Sequence, residues 1–307
     1  MQAFLIILKD IILPVFIIMG IGFFLQKKFQ LELQTLARLN IFFLVPGFIF
    51  VKLYDTQFSG RLLLNIVVFF FLLIIVLYIV SSIVARMIGF DKGKATTFSN
   101  STIFFNSGNY GVPVNDLVFK SDPLAMSVQV MILTMQNILL FSYGIFSLQV
   151  IKIGKLRAIL SYFKMPVLYA MLAGILLNIF NVVIPSFIWV PANYIADAMV
   201  AMALLTLGAQ VAQLQLSKSL STVYVSLVIR LILGPVITLG IIYLLQINGI
   251  IAQALFIAAA MPTAVNSSVI AQEYNNHPEF AAQIVLFSTL FSTITVTAVI
   301  YVSRILF

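Results

Sequence analysis

Residues 102–114 read Thr102-Ile103-Phe104-Phe105-Asn106-Ser107-Gly108-Asn109-Tyr110-Gly111-Val112-Pro113-Val114, a polar break inside an otherwise apolar segment. Pro113 removes a backbone donor and crowds the turn before it, while Gly108 and Gly111 tolerate non-helical dihedrals. Asn106, Ser107 and Asn109 bring donors and acceptors to the same place. A second break has the same make-up: Ala260-Met261-Pro262-Thr263-Ala264-Val265-Asn266-Ser267-Ser268. In a water-soluble protein both would be ordinary loops. Their surroundings say otherwise.

Of the 307 residues 62% are hydrophobic and only 8% charged, and the mean hydropathy is +1.15. Soluble domains average about 45–50% apolar and about 25% charged residues. A chain this apolar has too little polar surface to cover a globule in water, so lipid is its solvent. Apolar runs of spanning length predict an all-α integral membrane protein of ten helices, at 3–26, 36–54, 61–88, 95–119, 123–149, 164–182, 191–213, 219–246, 250–274 and 279–306. Prolines at Asp122-Pro123, Val190-Pro191 and His277-Pro278 mark helix starts. The two breaks then fall within the fourth and ninth spans. Unwound backbone is tolerated there only where it faces protein or a wet cavity.

Basic residues set the orientation. One side carries Lys27, Lys28, Arg38, Arg86, Lys92, Lys94, Lys152, Lys155, Arg157, Lys164 and Lys218; the other carries Lys9, Lys52, Arg61, Lys120 and Arg304. The richer side is expected to be cytoplasmic, which puts both termini outside. The first segment lacks the order of a cleavable signal and reads as a retained helix. A short basic linker at 151–163 separates two five-helix halves, 1–150 and 164–307. An odd number of spans per half makes them opposite in orientation, a 5+5 inverted repeat. Leu13-Pro14-Val15 with Met19, Gly22 and Leu25 matches Met165-Pro166-Val167 with Met171, Gly174 and Leu177 at the same spacing.

The chain has no cysteine and a single histidine, His277. Disulfides, thiolate chemistry and multi-histidine metal sites are therefore excluded, and no HExxH, GxSxG or phosphate-loop motif occurs. Neither an enzyme nor a cofactor site is expected. The net charge of +8 belongs to the membrane flanks and does not point to nucleic acid.

Two interrupted helices at matching places of inverted halves point to a binding site at the membrane midplane. Half-helix N-termini there offer N–H groups and partial positive charge to an anion. Asn106, Gly108, Asn109, Tyr110, Gly111 and Pro113, with Pro262, Thr263, Asn266 and Ser267, are the expected substrate-binding residues, and Asn137 is an added contact from the fifth span. Pro14, Pro46 and Pro235 stand apart from polar clusters and read as kinks. Two charges inside spans are candidates for a charge or coupling role. Asp197 reads as a helix cap or as facing outer water, otherwise as a proton carrier. Arg230 reads as snorkelling to the cytoplasmic surface, otherwise as a buried cation that draws in a carboxylate. Glu273 and His277 read as a solvated turn, with histidine able to gate it near neutral pH.

Asn106-Ser107-Gly108-Asn109-Tyr110-Gly111-Val112-Pro113 resembles the fourth-helix signature of the auxin efflux carrier family in its bacterial branch. Met261-Pro262-Thr263-Ala264-Val265-Asn266-Ser267, followed by Ala271 and Glu273-Tyr274, resembles the ninth-helix signature. Leu205 to Ala209, Gln136-Asn137-Ile138 and Phe141 to Gly144 are similar to further family segments. The resemblance implies that helices four and nine cross at the substrate site. It also implies a scaffold of helices one, two, six and seven, with the others mobile. It further implies transport of small organic anions such as malate or malonate, the short linker arguing against auxin. The expected function is alternating-access transport of such a carboxylate across the cytoplasmic membrane. Partners are lipid, the anion, a coupling proton or sodium ion, and a second copy in a homodimer. An ion channel or a sodium-coupled symporter of a related fold is the alternative.

Overall fold

The computed structural model describes residues 2–55, 60–149, 166–213 and 220–307. The 151–163 linker, with its lysines and arginine, and Lys164, Met165 and Lys218 lie outside the described residues. Seven helices are long and apolar enough to cross a membrane: α1 (Phe4–Phe29), α2 (Leu33–Tyr54), α3 (Leu62–Ile88), α6 (Pro123–Leu148), α8 (Ser186–Gln213), α9 (Ser221–Leu244) and α12 (Pro278–Leu306). Two shorter apolar helices are α7 (Pro166–Ile179) and α10 (Gly249–Ala259). The remaining pieces are α4 (Lys92–Ile103), α5 (Val112–Phe119) and α11 (Val265–Glu273). Among the described residues there is no strand, only one isolated bridge.

Proline controls the shape of these helices. Leu8–Ile12, Asn40–Leu44, Ser107–Gly111 and Ile229–Leu233 are π-helical turns, and each is followed two residues later by a proline: Pro14, Pro46, Pro113 and Pro235. A proline supplies no N–H and pushes away the carbonyl four residues back. A widened turn is the local solution that keeps the helix continuous. Pro14, Pro46 and Pro235 are thus kinks, as read from their sequence.

Helix starts follow the sequence signals with one exception. Asp122 caps α6 by accepting hydrogen bonds from the N–H groups of Leu124 and Ala125, with Pro123 in the first turn. His277, in the left-handed region at φ 48°, precedes Pro278 of α12. Pro191, expected to start its helix, lies inside α8. The helix begins earlier because the Pro185 carbonyl accepts from Ile188 and Trp189, and a proline one turn later forfeits only one further bond.

The helices pack as two groups. In the first, α1 runs along α8 and α7 along α2, with α8 also against α2. Glycine permits this. A side-chain carbon on Gly22 would strike the Leu205 carbonyl, and one on Gly208 would strike the Met19 carbonyl, so α1 and α8 touch backbone to backbone. Gly174 of α7 lies against Phe50 of α2, where an added carbon would come within 2.9 Å of a carbonyl oxygen. Small residues that admit such approach are the usual means of helix association in lipid. The second group joins α3 to α4, α6 to α10, and α9, α10 and α11 to α12.

Candidate functional site

The two breaks meet each other. Phe105 and Thr263 form an antiparallel bridge, in which the Asn106 N–H donates to the Pro262 carbonyl (2.7 Å) and the Ala264 N–H to the Phe104 carbonyl (2.9 Å). Two interrupted helices, α4/α5 and α10/α11, therefore cross at their unwound residues. Four half-helix ends converge there, and their backbone groups have no water to turn to.

The carbonyls at the end of α4 are all accounted for. Asn100 accepts from the Phe104 N–H. The Ser101 carbonyl accepts from the Thr263 hydroxyl (2.8 Å), Thr102 from Arg230 Nη1 (3.0 Å) and Ile103 from Gln136 Nε2 (3.2 Å). Arg230 Nη2 also donates to the carbonyl of Ala259, the last residue of α10. One guanidinium thus joins the C-terminal ends of both half-helices. It is fully buried, with its carbon 4.9 Å from the centre of the Phe105 ring. Among the described residues no carboxylate pairs with it. The snorkelling expected for Arg230 is corrected: its π-helical turn in α9 aims it inward at two carbonyls, which outbid the surface.

The N-terminal ends are used differently. The first turn of any helix has N–H groups with no carbonyl a turn earlier. Gly108 and Asn109 occupy that place before α5, and Val265 and Asn266 in α11. All four line one cavity, which contains about 700 Å³ of atom-free space including its open mouth. Asn40, Thr206, Gln210, Gln136 and Asn137 line it from α2, α8 and α6, and Phe105 and Asn106 from the crossing. Asn40 donates to the Thr206 hydroxyl (2.8 Å) and fixes the wall between α2 and α8. Asn106 Nδ2, Gln210 Oε1 and Asn40 Oδ1 are buried without a hydrogen-bond partner among the described residues. Unpartnered buried amides are costly unless a ligand or water meets them. Among the described residues no charged side chain lines the cavity. Ala37, next to Arg38, lines it at the end of α2 nearest Lys27 and Lys28 in the chain.

Of the residues expected from sequence, Asn106, Gly108, Asn109, Asn137 and Asn266 stand in the cavity wall. The others build it from behind. Tyr110 is fully buried with its ring edge against Phe16 and its hydroxyl accepting from Ser292. Gly111 leaves room for Gln129, whose amide donates to the Ser107 carbonyl. Pro113 sits in the first turn of α5, and Pro262 supplies the bridging carbonyl. Thr263 donates twice, its N–H to the Ser288 hydroxyl (3.1 Å) and its own hydroxyl to the Ser101 carbonyl. Ser267 donates to the Ala264 carbonyl. Asp197 is exposed in the middle of α8, away from the cavity, and caps nothing. Glu273 and His277 are exposed, as expected of a solvated turn.

Asn40, Thr206 and Gln210 were not singled out from sequence. Thr206 and Gln210 lie one turn apart on α8, and only the folding of α2 against α8 brings Asn40 to them. Behind the site, on the basic side, Asp91 caps α4 by accepting from the Lys94 N–H (3.0 Å). That bond, with His277 Nε2 at 3.4 Å, holds the Asp91 carboxyl below the usual range. Asn276 ties the same corner together by donating to Gly93 and Thr97.

Comparison with known proteins agrees with this architecture. The profile of a family described as Membrane transport protein matches residues 7–300. An uncharacterized transporter of Methanothermobacter thermautotrophicus is 24% identical over 291 residues, covering 93% of this chain and 95% of its own length. Auxin efflux carrier component 6 of Arabidopsis thaliana is 28% identical over 143 residues, 45% of this chain and 25% of the plant protein. Auxin efflux carrier component 2 of Oryza sativa is 26% identical over 145 residues.

Proposed function

Because the chain belongs to the membrane transport protein family, that of the auxin efflux carriers, we propose that it is a secondary transporter carrying a small organic anion, malate- or malonate-like, by alternating access. Members of the family are membrane transporters and not enzymes. The observation that carries the reading is the convergence of two half-helix N-termini on one amide-lined cavity. Free N–H groups and the positive helix ends suit a carboxylate, and Asn109 and Asn266 orient it. A centre of neutral amides and helix N-termini, without acidic side chains, suits a carboxylate better than a metal ion.

On this reading α4/α5 and α10/α11 each span the membrane as a pair, which with α7 makes ten spans in two inverted halves. The glycine contacts support it: α1 meets α8 at Gly22 as α7 meets α2 at Gly174, the exchange that a twofold relation between halves requires. On this reading the lysine-rich side is cytoplasmic and both termini lie outside, which puts Ala37, beside Arg38, toward the inner end of the cavity. The α1, α2, α7 and α8 group is the scaffold, and a homodimer through it would cover Asp197. The short linker favours the bacterial-type branch.

The test is uptake of radiolabelled malate, malonate and a monocarboxylate into proteoliposomes under proton, sodium and voltage gradients. Saturable uptake of one of them supports the carrier, and the effective gradient names the coupling. No uptake of any under every gradient removes the organic-anion assignment. Unitary currents far above carrier turnover would replace the carrier with a channel.

A further inference from the structure

We infer that Arg230 is a built-in counter-ion, standing where a broken-helix carrier of the sodium-coupled kind would bind its cation. A helix end carries about half an elementary charge, negative at the C-terminus and positive at the N-terminus. Two C-terminal ends, those of α4 and α10, meet at the crossing and leave about one negative charge in a dry interior. In other broken-helix transporters, half-helix C-terminal ends and unwound carbonyls coordinate the coupling ion. Here the Thr102 and Ala259 carbonyls are both taken by the Arg230 guanidinium. Arginine does not deprotonate in proteins, so this cation never leaves.

Three observations fit a fixed counter-ion better than a cargo contact. Arg230 does not line the cavity; its guanidinium lies over the ring of Phe105, which does. No carboxylate among the described residues pairs with it, so the two helix ends are its compensation. The surrounding backbone is shaped for it: Arg230 sits in a π-helical turn, and a carbon added to Gly234 one turn later would press on its Nη2 at 3.2 Å. Arg230 is therefore a positioning residue. It ties α4 to α10 through both transport states and removes the need for a sodium ion at the crossing.

The consequence for cargo rests on the transport reading. With Arg230 cancelling the two C-terminal ends, the N-terminal ends of α5 and α11 are left with about one positive charge. The site is matched to one negative charge, a monocarboxylate or a singly protonated dicarboxylate. The consequence for cations does not depend on any cargo, and it is tested without one.

Purified wild type, Arg230→Ala, Arg230→Lys and Arg230→Gln are melted in buffers whose added cation is sodium, methylguanidinium or the bulky N-methylglucamine. The wild-type midpoint is expected to be the same in all three, and that of Arg230→Lys close to it. Arg230→Ala and Arg230→Gln should melt lower in N-methylglucamine and regain at least half of the loss in sodium or methylguanidinium. A mere packing role would not respond to small cations. Sodium-specific stabilisation of the wild type, an unchanged Arg230→Gln, or a loss that no cation restores would each overturn the inference. If Arg230→Ala does not fold, the Lys and Gln variants decide alone, since they differ in charge. Malonate uptake by the wild type, measured in parallel, shows separately whether the transport reading stands.

Discussion

Asn109 and Asn266 stand at the starts of two half-helices, each beside free N–H groups and inside the same cavity. A hydrogen bond to a charged group is worth about 1.5–3 kcal/mol, and about 1.4 kcal/mol is a factor of ten in affinity. Asn109→Ala and Asn266→Ala should each weaken anion binding by roughly tenfold to a hundredfold while leaving the thermal midpoint nearly unchanged. Equilibrium binding together with a melting curve checks both halves of that statement. Tyr110→Phe should behave in the opposite way. It removes the acceptor for Ser292, so stability falls by about 1 kcal/mol and anion affinity stays. Residues such as Asn109 were legible in sequence because a polar cluster inside an apolar span is costly and draws the eye. Tyr110, next in the chain, points to α12 and α1, and nothing in the linear pattern separates the two.

Elements are held together here by backbone contact and by caps. Gly22 of α1 touches the Leu205 carbonyl, whereas Gly20 has open space around it. Gly22→Ala should therefore lower the midpoint, with overpacking costing about 1–3 kcal/mol. Gly20→Ala should be neutral or raise it, since alanine is the better helix former by about 1 kcal/mol. At the start of α4, Asp91 is held below the ordinary carboxylate range by the Lys94 N–H. A carboxyl with a lowered folded pKa adds stability above its unfolded value, and that stability is lost as pH falls through the folded value. Asp91→Asn should thus be less stable than wild type at neutral pH. The gap should close below about pH 4, as a pH series of melting curves would show. Helix positions and kinks were readable because proline and apolar length act locally. Pro191 misled because the capping Pro185 carbonyl a turn earlier settles where α8 begins. The inward turn of Arg230 was hidden for another reason: its two acceptors lie 128 and 29 residues away in sequence.

Across the whole molecule, one helix group carries Asn40, Thr206 and Gln210 and the other carries the crossing, and the cavity lies between them. Site residues contributed by the first group are invisible in the chain because they meet the residues of the crossing only when the two groups face each other. On the proposed reading one group moves against the other, and access to this surface alternates. The chain has no cysteine, which makes a single introduced thiol easy to follow. Ala37→Cys, in the cavity lining beside Arg38, should on the proposed reading react with a thiol reagent supplied from the lysine-rich side and be protected when cargo turns the carrier outward. The most direct test of the central claim is equilibrium binding of radiolabelled malonate to purified wild type, to Asn109→Ala and to Asn266→Ala. Saturable binding to the wild type and a loss of at least tenfold in both variants are expected. Wild-type affinity retained in both variants would contradict that claim, and would place the anion somewhere other than the crossing.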